Sequence, residues 1–272
     1  MAVKPVTGIA IDYWSKNGFL KKQDILAVEE PLEIGLQTAL EIKPVAVTMR
    51  TPGNDDELAA GFLFTEGILK NRNELAAVIK DKCNDNSVVL VTANGFSPVM
   101  EKLERNFYTS SSCGVCGKAS IDAIKTAPAL LDKNDQIKLA AVFFTKLPAK
   151  LRLQQEVFES TGGLHASALF EPDGQVVLLR EDVGRHNALD KLIGHAFLNE
   201  WLPLNNHVLL LSGRASFELV QKAAMAGIRV VAAMGAPSSL AVETAKEFGI
   251  TLVGFLKESG FNVYCGGGRV EC

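Results

Sequence analysis

A chain of 272 residues with 47% hydrophobic and 22% charged side chains can close one large or two medium cores, which excludes a disordered or collagenous protein and a small disulfide-stapled one. A net charge of -3 supplies no global attraction to nucleic acid or to an anionic membrane, and no apolar run approaches the ~18 residues of a membrane span. The first eight residues lack the blocks of a secretory signal, so the chain reads as cytoplasmic, and its five scattered cysteines read as free thiols.

Taken in order, residues 1–105 read as a small α+β domain. Strands are expected over 24–30 and 32–40, turning at Pro31, and a half-buried strand where Val45, Val47 and Met49 alternate with small or polar residues. A helix follows. Asn54 is placed to cap it, Asp55, Asp56 and Glu57 suit the positive end of its dipole, and Leu58, Phe62 and Leu63 give it an apolar face before Gly67. A second helical stretch is expected over 73–80, then an apolar strand over 87–93 closed by a turn at Asn94-Gly95.

Residues 106–272 read as a larger α/β domain. It opens on the thiol loop Ser110-Ser-Ser-Cys113-Gly-Val-Cys116-Gly-Lys118, from which a helix continues through Ile121, Ile124 and Lys125. A helix over 149–160 is stopped by Gly162-Gly163. Strands over 164–170 and 175–180 are joined by the turn residues Glu171-Pro-Asp-Gly174, and a helix is expected over 187–199. The last third repeats one unit, with strands over 208–211, 229–233 and 250–255 separated by helices over 217–226 and 240–248. Near-continuous apolar strands in that order imply a mostly parallel sheet covered by helices.

Three places carry chemistry. In the thiol loop, Cys113 and Cys116 lie among small residues close to the start of a helix, whose free N–H groups favour thiolate over thiol. A single CxxC fits half of a zinc site, a redox pair or a sulfur relay in which a persulfide is held and passed on, and the motif alone does not choose among them. The second place is a pair of strand-to-helix loops, Ser212-Gly213-Arg214-Ala-Ser216 and Gly235-Ala-Pro-Ser238-Ser239. Either alone is ordinary capping chemistry. Side by side at the carboxyl ends of parallel strands, with Arg214 able to pair bidentately with phosphate, they point to a phosphate-bearing ligand. The third is Arg180-Glu181-Asp182-Val-Gly-Arg185-His186-Asn187, either a solvated turn capped by Asn187 or the ion-paired wall of a pocket. His165, isolated on a strand, reads as a core histidine, and Cys265 and Cys272 as peripheral thiols.

The chain resembles the formate dehydrogenase accessory sulfurtransferase family, FdhD. The likeness runs from about Pro44 to Tyr264 and rests on Ser111-Ser-Cys-Gly-Val-Cys-Gly117, Thr161-Gly-Gly-Leu-His-Ala-Ser-Ala-Leu169, Arg180-Glu-Asp-Val-Gly-Arg-His-Asn-Ala-Leu-Asp190, both strand-end loops and Phe255-Leu-Lys-Glu-Ser-Gly-Phe-Asn-Val-Tyr264. The resemblance implies a sulfurtransferase that takes sulfur from a cysteine desulfurase on Cys113, with Cys116 assisting. The sulfur is delivered to the molybdenum or tungsten of a bis-molybdopterin guanine dinucleotide, which goes on to the catalytic subunit of formate dehydrogenase. It further implies a homodimer and a three-layer α/β/α fold like that of cytidine deaminases. Guanine nucleotides are then expected to bind through Phe255, Leu256, Lys257, Glu258, Ser259 and Gly260 together with Ser212, Gly213, Arg214, Gly235 and Ser238. Zinc deaminases carry H-x-E and P-C-x-x-C; here Ala-Ser follows His165 and no proline precedes Cys113, so no catalytic zinc is expected. The competing class is a binding protein that chaperones the guanylated cofactor, with the cysteines as a redox or metal clip.

Overall fold

A computed structural model describes residues 4–39, 41–80, 85–96, 98, 107–108, 130–131 and 137–272. The chain begins with an antiparallel hairpin, β1 (Val6–Ser15) and β2 (Gly18–Ala27), which forms a two-stranded sheet of its own. A five-stranded sheet follows, in the order β5-β6-β3-β4-β7, from β3 (Glu30–Gln37), β4 (Ile42–Arg50), β5 (Leu75–Lys80), β6 (Ser87–Thr92) and β7 (Phe107–Tyr108). Helix α1 (Asp55–Thr65) connects β4 to β5 through a short 3-10 turn. Two sequence expectations change here. Pro31 lies inside β3 rather than at a turn, opposite Met49 of β4; pairing with β6 starts only at Glu33, so the missing proline N–H leaves no gap on that side. The stretch over 73–80 is the end of that 3-10 turn followed by the strand β5: pairing with β6 and the burial of Leu75 outweigh the helical preference of Leu75-Ala-Ala. Asn54 does precede α1 but adopts a left-handed conformation (φ 57°) and makes no side-chain capping bond.

The second sheet has six strands, β10-β9-β11-β12-β13-β14, from β9 (His165–Phe170), β10 (Val176–Asp182), β11 (Val208–Leu211), β12 (Val230–Ala233), β13 (Thr251–Lys257) and β14 (Gly260–Cys265). It is parallel only across β11, β12 and β13; β10, β9 and β14 run antiparallel to their neighbours, so the sheet is mixed rather than mostly parallel. The flanking hairpins, turned at 171–174 and 258–259, need no crossover helix. At the carboxyl terminus a short strand, 270–271, pairs in parallel with residues 139–140. Helices α2 (Ala141–Arg152), α3 (Glu156–Thr161), α4 (Arg185–Leu198), α5 (Phe217–Met225) and α6 (Ser239–Glu247) complete the described elements.

The central strands read as continuous apolar runs because both of their faces are covered. Leu209, Leu211, Val231 and Ala233 point into one core with α4 and α5, whereas Val208, Leu210, Val230 and Ala232 point into another with Phe143, Phe144 and Leu147 of α2. The first core continues without a break into the five-stranded sheet through Leu58 and Leu63 of α1 to Leu32, Ile34 and Leu36 of β3. Each fully buried leucine in it contributes about 1.5–3 kcal/mol. Helices α1 and α4 cross in close contact: a Cβ added at Gly61 would lie 1.9 Å from the Asp190 carbonyl oxygen, and one at Gly194 would lie 1.7 Å from that of Glu57. A buried polar cluster locks the same junction. Lys222 Nζ of α5 donates to both Asp190 oxygens (2.9 and 2.8 Å) and to Thr65 Oγ1 (2.8 Å), and Thr65 donates to Asp190 (2.9 Å). The expected boundary near residue 105 falls outside the described residues, as do Cys113, Cys116 and the helix expected from Ile121. No helix among the described residues is long and apolar enough to cross a membrane.

Candidate functional site

The carboxyl ends of β11, β12 and β13 are joined by their loops as well as by the sheet. Gly235 N–H donates to Gly213 O (2.9 Å), Ala215 N–H to Ala236 O (3.2 Å), Ser238 N–H to Ala215 O (3.0 Å) and Phe255 N–H to Gly235 O (3.1 Å). This extension requires glycine at 235, where a Cβ would lie 2.9 Å from Arg214 N and Gly213 O. On the far side, Ser212 exchanges two bonds with β9, accepting from Ala166 N–H at its hydroxyl (2.8 Å) and donating its own N–H to Ala166 O (3.0 Å). His165 therefore stands beside Gly213, its ring 3.2 Å from where a Cβ there would be.

Loop 212–216 forms a ridge between two cavities. One, of about 240 Å³, is lined by Arg185, Arg214, Ser216 and Ser238. Ser216 and Ser238 are the N-caps of α5 and α6; Ser238 Oγ accepts from Ala241 N–H (3.2 Å), whereas Ser216 Oγ instead pairs with His186 Nε2 (3.3 Å). Two guanidinium groups and two helix amino termini make this recess suited to a phosphate or diphosphate. Arg185 Nε and His186 Nδ1 are buried beside it with no hydrogen-bond partner among the described residues. The other cavity, of about 380 Å³, is lined by Arg152, Gln155, Phe158, His165, Ser212 and Met234. Gln155 is 4% exposed, and its Nε2 has no acceptor among the described residues. Burial, and then the charges of Arg185 and His186, lower the His165 pKa against the opposing pull of Asp182. The imidazole is thus neutral near pH 7 and offers one donor and one acceptor.

In the segment Arg180–Asn187 both carboxylates hold backbone N–H groups, and Arg180 pairs with Glu57 of α1 (2.5 Å). Asp182 is fully buried, pairs with Lys191 (2.7 Å), and accepts from Thr51 N–H (3.1 Å) and Gly184 N–H (2.8 Å). Burial raises its pKa and the Lys191 charge opposes that rise. Asn187 lies inside α4 and is not its cap: it donates to Met49 O (2.7 Å) and Asp182 Oδ1 (3.1 Å), tying the helix to β4. Glu181 accepts from Val157 N–H (3.2 Å) and Phe158 N–H (3.0 Å), capping α3 from another strand. That external cap lets a helix restart at Glu156, so the single helix expected over 149–160 is the end of α2, a break at 153–155, and α3. The break buries Gln155, and nothing in its local sequence announces that role. Arg152 and Gln155 were not anticipated as site residues.

The sequence-derived ligand set divides in three. Arg214 and Ser238 line the smaller cavity and Ser212 the larger, while Gly213 and Gly235 form the ridge and its tie. Phe255, Leu256 and Lys257 end β13, Glu258 and Ser259 turn, and Gly260 opens β14; this hairpin tip lies at the same edge but lines neither cavity. Phe255, which is 46% exposed and left-handed (φ 52°), sits where the pairing of β13 with β14 shifts register between Gly254 and Lys257. Cys265 is half-buried and donates to Ile250 O (3.3 Å), and Cys272 is exposed; both are free thiols.

Glu218, in the first turn of α5, has an unusual acidity. Burial alone would raise its pKa, but the His186 imidazole 3.8 Å away, its own backbone N–H and the Ser216 hydroxyl hold it at about 2 against an ordinary 4.5. A carboxylate with a depressed folded pKa contributes stability above the ordinary value and loses it as pH falls toward the folded one. Between about pH 5 and pH 2 the native protein should therefore lose more stability than Glu218→Gln, as read from urea midpoints at several pH values. Parallel loss in both proteins would exclude this contribution.

Fold and site together define a mixed α/β protein whose sheet edge carries two recesses, one lined by Arg185 and Arg214 and one lined by Gln155 and His165, on either side of one loop. The model of the FdhD/NarQ family matches residues 27–271, and the chain belongs to that family. Among its relatives are proteins named sulfur carrier protein FdhD from Streptomyces coelicolor (53% identical, 92% of this chain and 90% of the relative), Mycobacterium tuberculosis (46%, 96% of each) and Thermoplasma volcanium (40%, 93% and 91%). A crystal structure described as that of a candidate formate dehydrogenase accessory protein from Desulfotalea psychrophila superposes with a TM-score of 0.76 at 22% identity, over 98% of this chain and 99% of that one, which shows the shared fold.

Proposed function

We propose that this chain is a sulfurtransferase that takes sulfane sulfur from a cysteine desulfurase and delivers it to a bis-molybdopterin guanine dinucleotide destined for formate dehydrogenase. The observation that carries the reading is membership of the FdhD/NarQ family, with relatives named as sulfur carriers over nine-tenths of their length. In the transfer, the Cys113 thiolate attacks the outer sulfur of the donor persulfide, the donor leaves as a thiolate, and Cys113 holds the sulfur as a persulfide until the acceptor takes it. Cys116 assists, no zinc takes part, and the protein works in the cytoplasm as a dimer whose six-stranded sheet corresponds to a cytidine-deaminase-like α/β/α layer.

The two cavities support a division of the nucleotide in this reading. Its phosphates lie between Arg185 and Arg214, and its base lies across the Gly213 ridge, against Phe158 and within reach of Gln155 and His165. The hairpin tip 255–260, at the same sheet edge but outside both cavities, contributes the remaining contacts to the cofactor in this reading. Arg214→Ala and Arg185→Ala should each weaken GDP binding by about 1–3 kcal/mol by calorimetry, the usual loss for a charge-assisted contact, while Cys113 still accepts sulfur. Unchanged GDP affinity in both variants would remove the phosphates from this recess. The chaperone alternative requires the same pocket, so the fate of Cys113, treated below, separates the two.

A further inference from the structure

The hairpin β1–β2 lies outside the matched residues 27–271 apart from Ala27, and it is the least covered part of the described structure. Trp14 is 63% exposed and Phe19 73%, and Ile9, Tyr13, Leu20, Ile25 and Leu26 are also exposed. Two isolated strands are marginally stable in water, so ten-residue strands with this much exposed apolar surface call for a partner.

Its two edges differ. The β2 edge carries Lys21, Lys22 and Asp24, and that strand is the one in contact with α3. The β1 edge, Val6-Thr-Gly-Ile-Ala-Ile-Asp-Tyr-Trp-Ser15, has a single charge, Asp12, which is paired with Lys21 (2.6 Å), and it has no proline or lysine to discourage pairing. The phase of the groups on its outer edge, unpaired among the described residues, is fixed by Val28 N–H, which donates to Pro5 O (2.8 Å). In the register Val6↔Ala27 to Ser15↔Gly18, odd-numbered residues of β1 bond to β2 and Gly8, Ala10, Asp12 and Trp14 present N–H and C=O outward.

We infer that β1 pairs antiparallel with β1 of a second copy about a two-fold axis near Ile11, giving a four-stranded sheet in the order β2-β1-β1-β2. An antiparallel match of a strand with itself satisfies the two-fold, since each pair occurs twice. Centred on Ile11, it sets Ile9 against Tyr13, Gly8 against Trp14 and Ala10 against Asp12, and nowhere opposes like charges. Aliphatic-aromatic pairs and a large ring over glycine are stabilising cross-strand neighbours. The inference rests on the reading of the chain as a dimer and specifies where the copies join.

Light scattering on the full chain at micromolar concentration tests it with Ala10→Pro, which removes an outward N–H while leaving the bonds within the hairpin. The native protein should have twice the chain mass, and Ala10→Pro the mass of one chain with unchanged circular dichroism. As a second readout, Ile11→Cys should form a reductant-sensitive covalent dimer well above the background of the parent cysteines. A native dimer in which Ala10→Pro remains dimeric and Ile11→Cys fails to cross-link would overturn the hairpin interface while leaving the dimer reading intact. A native monomer would overturn both, and a monomer whose Ala10→Pro form loses client activation would reassign the edge to the client.

Discussion

Cys113→Ala is expected to accept no sulfur from a cysteine desulfurase and to leave formate dehydrogenase inactive, the largest functional effect of any single substitution proposed. The native protein, incubated with desulfurase and cysteine, should gain about 32 Da, one sulfur atom, in an adduct removed by reductant. The reasoning is chemical. A persulfide carrier needs a thiolate at the accepting position, and alanine cannot supply one. Cys116→Ala should retain part of the adduct, because a second thiol can resolve or share the persulfide but is not its first acceptor. Full client activation by Cys113→Ala would sink the sulfurtransferase reading in favour of the chaperone.

Gly194→Ala should cause the largest loss of stability. In an exposed helix the change would be favourable by about 1 kcal/mol, because alanine is the better helix former. Here the added methyl would meet the Glu57 backbone carbonyl at 1.7 Å, and backbone cannot rotate away as a side chain can. Helices α1 and α4 must separate, at a cost at or above the ~3 kcal/mol upper end of ordinary overpacking. Gly268→Ala, with open space around its Cβ position, is the control and should stay within about 0.5 kcal/mol of native. A urea midpoint for Gly194→Ala at or above the native value would contradict the close crossing.

The repeat from β11 to β13 was legible because each strand is a short apolar run covered on both faces, and each loop begins with glycine or serine. Strand β11 and the starts of α5 and β9 fall within a residue of expectation. What was hidden depends on distant partners. Residues 75–80 look helical until β6 lies beside them, and the break at Gln155 depends on a carboxylate 26 residues further on. The hairpin was missed over residues 6–15 because its strands carry no buried stripe to set a period of two. Arg214 was legible from its loop. Arg185 belonged to a segment that read either as a solvated turn or as an ion-paired wall, and its place in one cavity with Arg214 follows from the packing of α4 alongside the sheet.

The uninterrupted core and the Thr65–Asp190–Lys222 cluster have a thermodynamic consequence for any ligand at the sheet edge. A compound that binds only the native state raises the free energy of every opening that disrupts its site. Because α1 shares its buried surface with α4, and α4 carries Arg185 into the recess, unfolding of the five-stranded sheet strips support from the site. A ligand held in that recess should therefore slow amide exchange in β3 and β6, and its occupancy would be recorded across the chain as protection rather than movement.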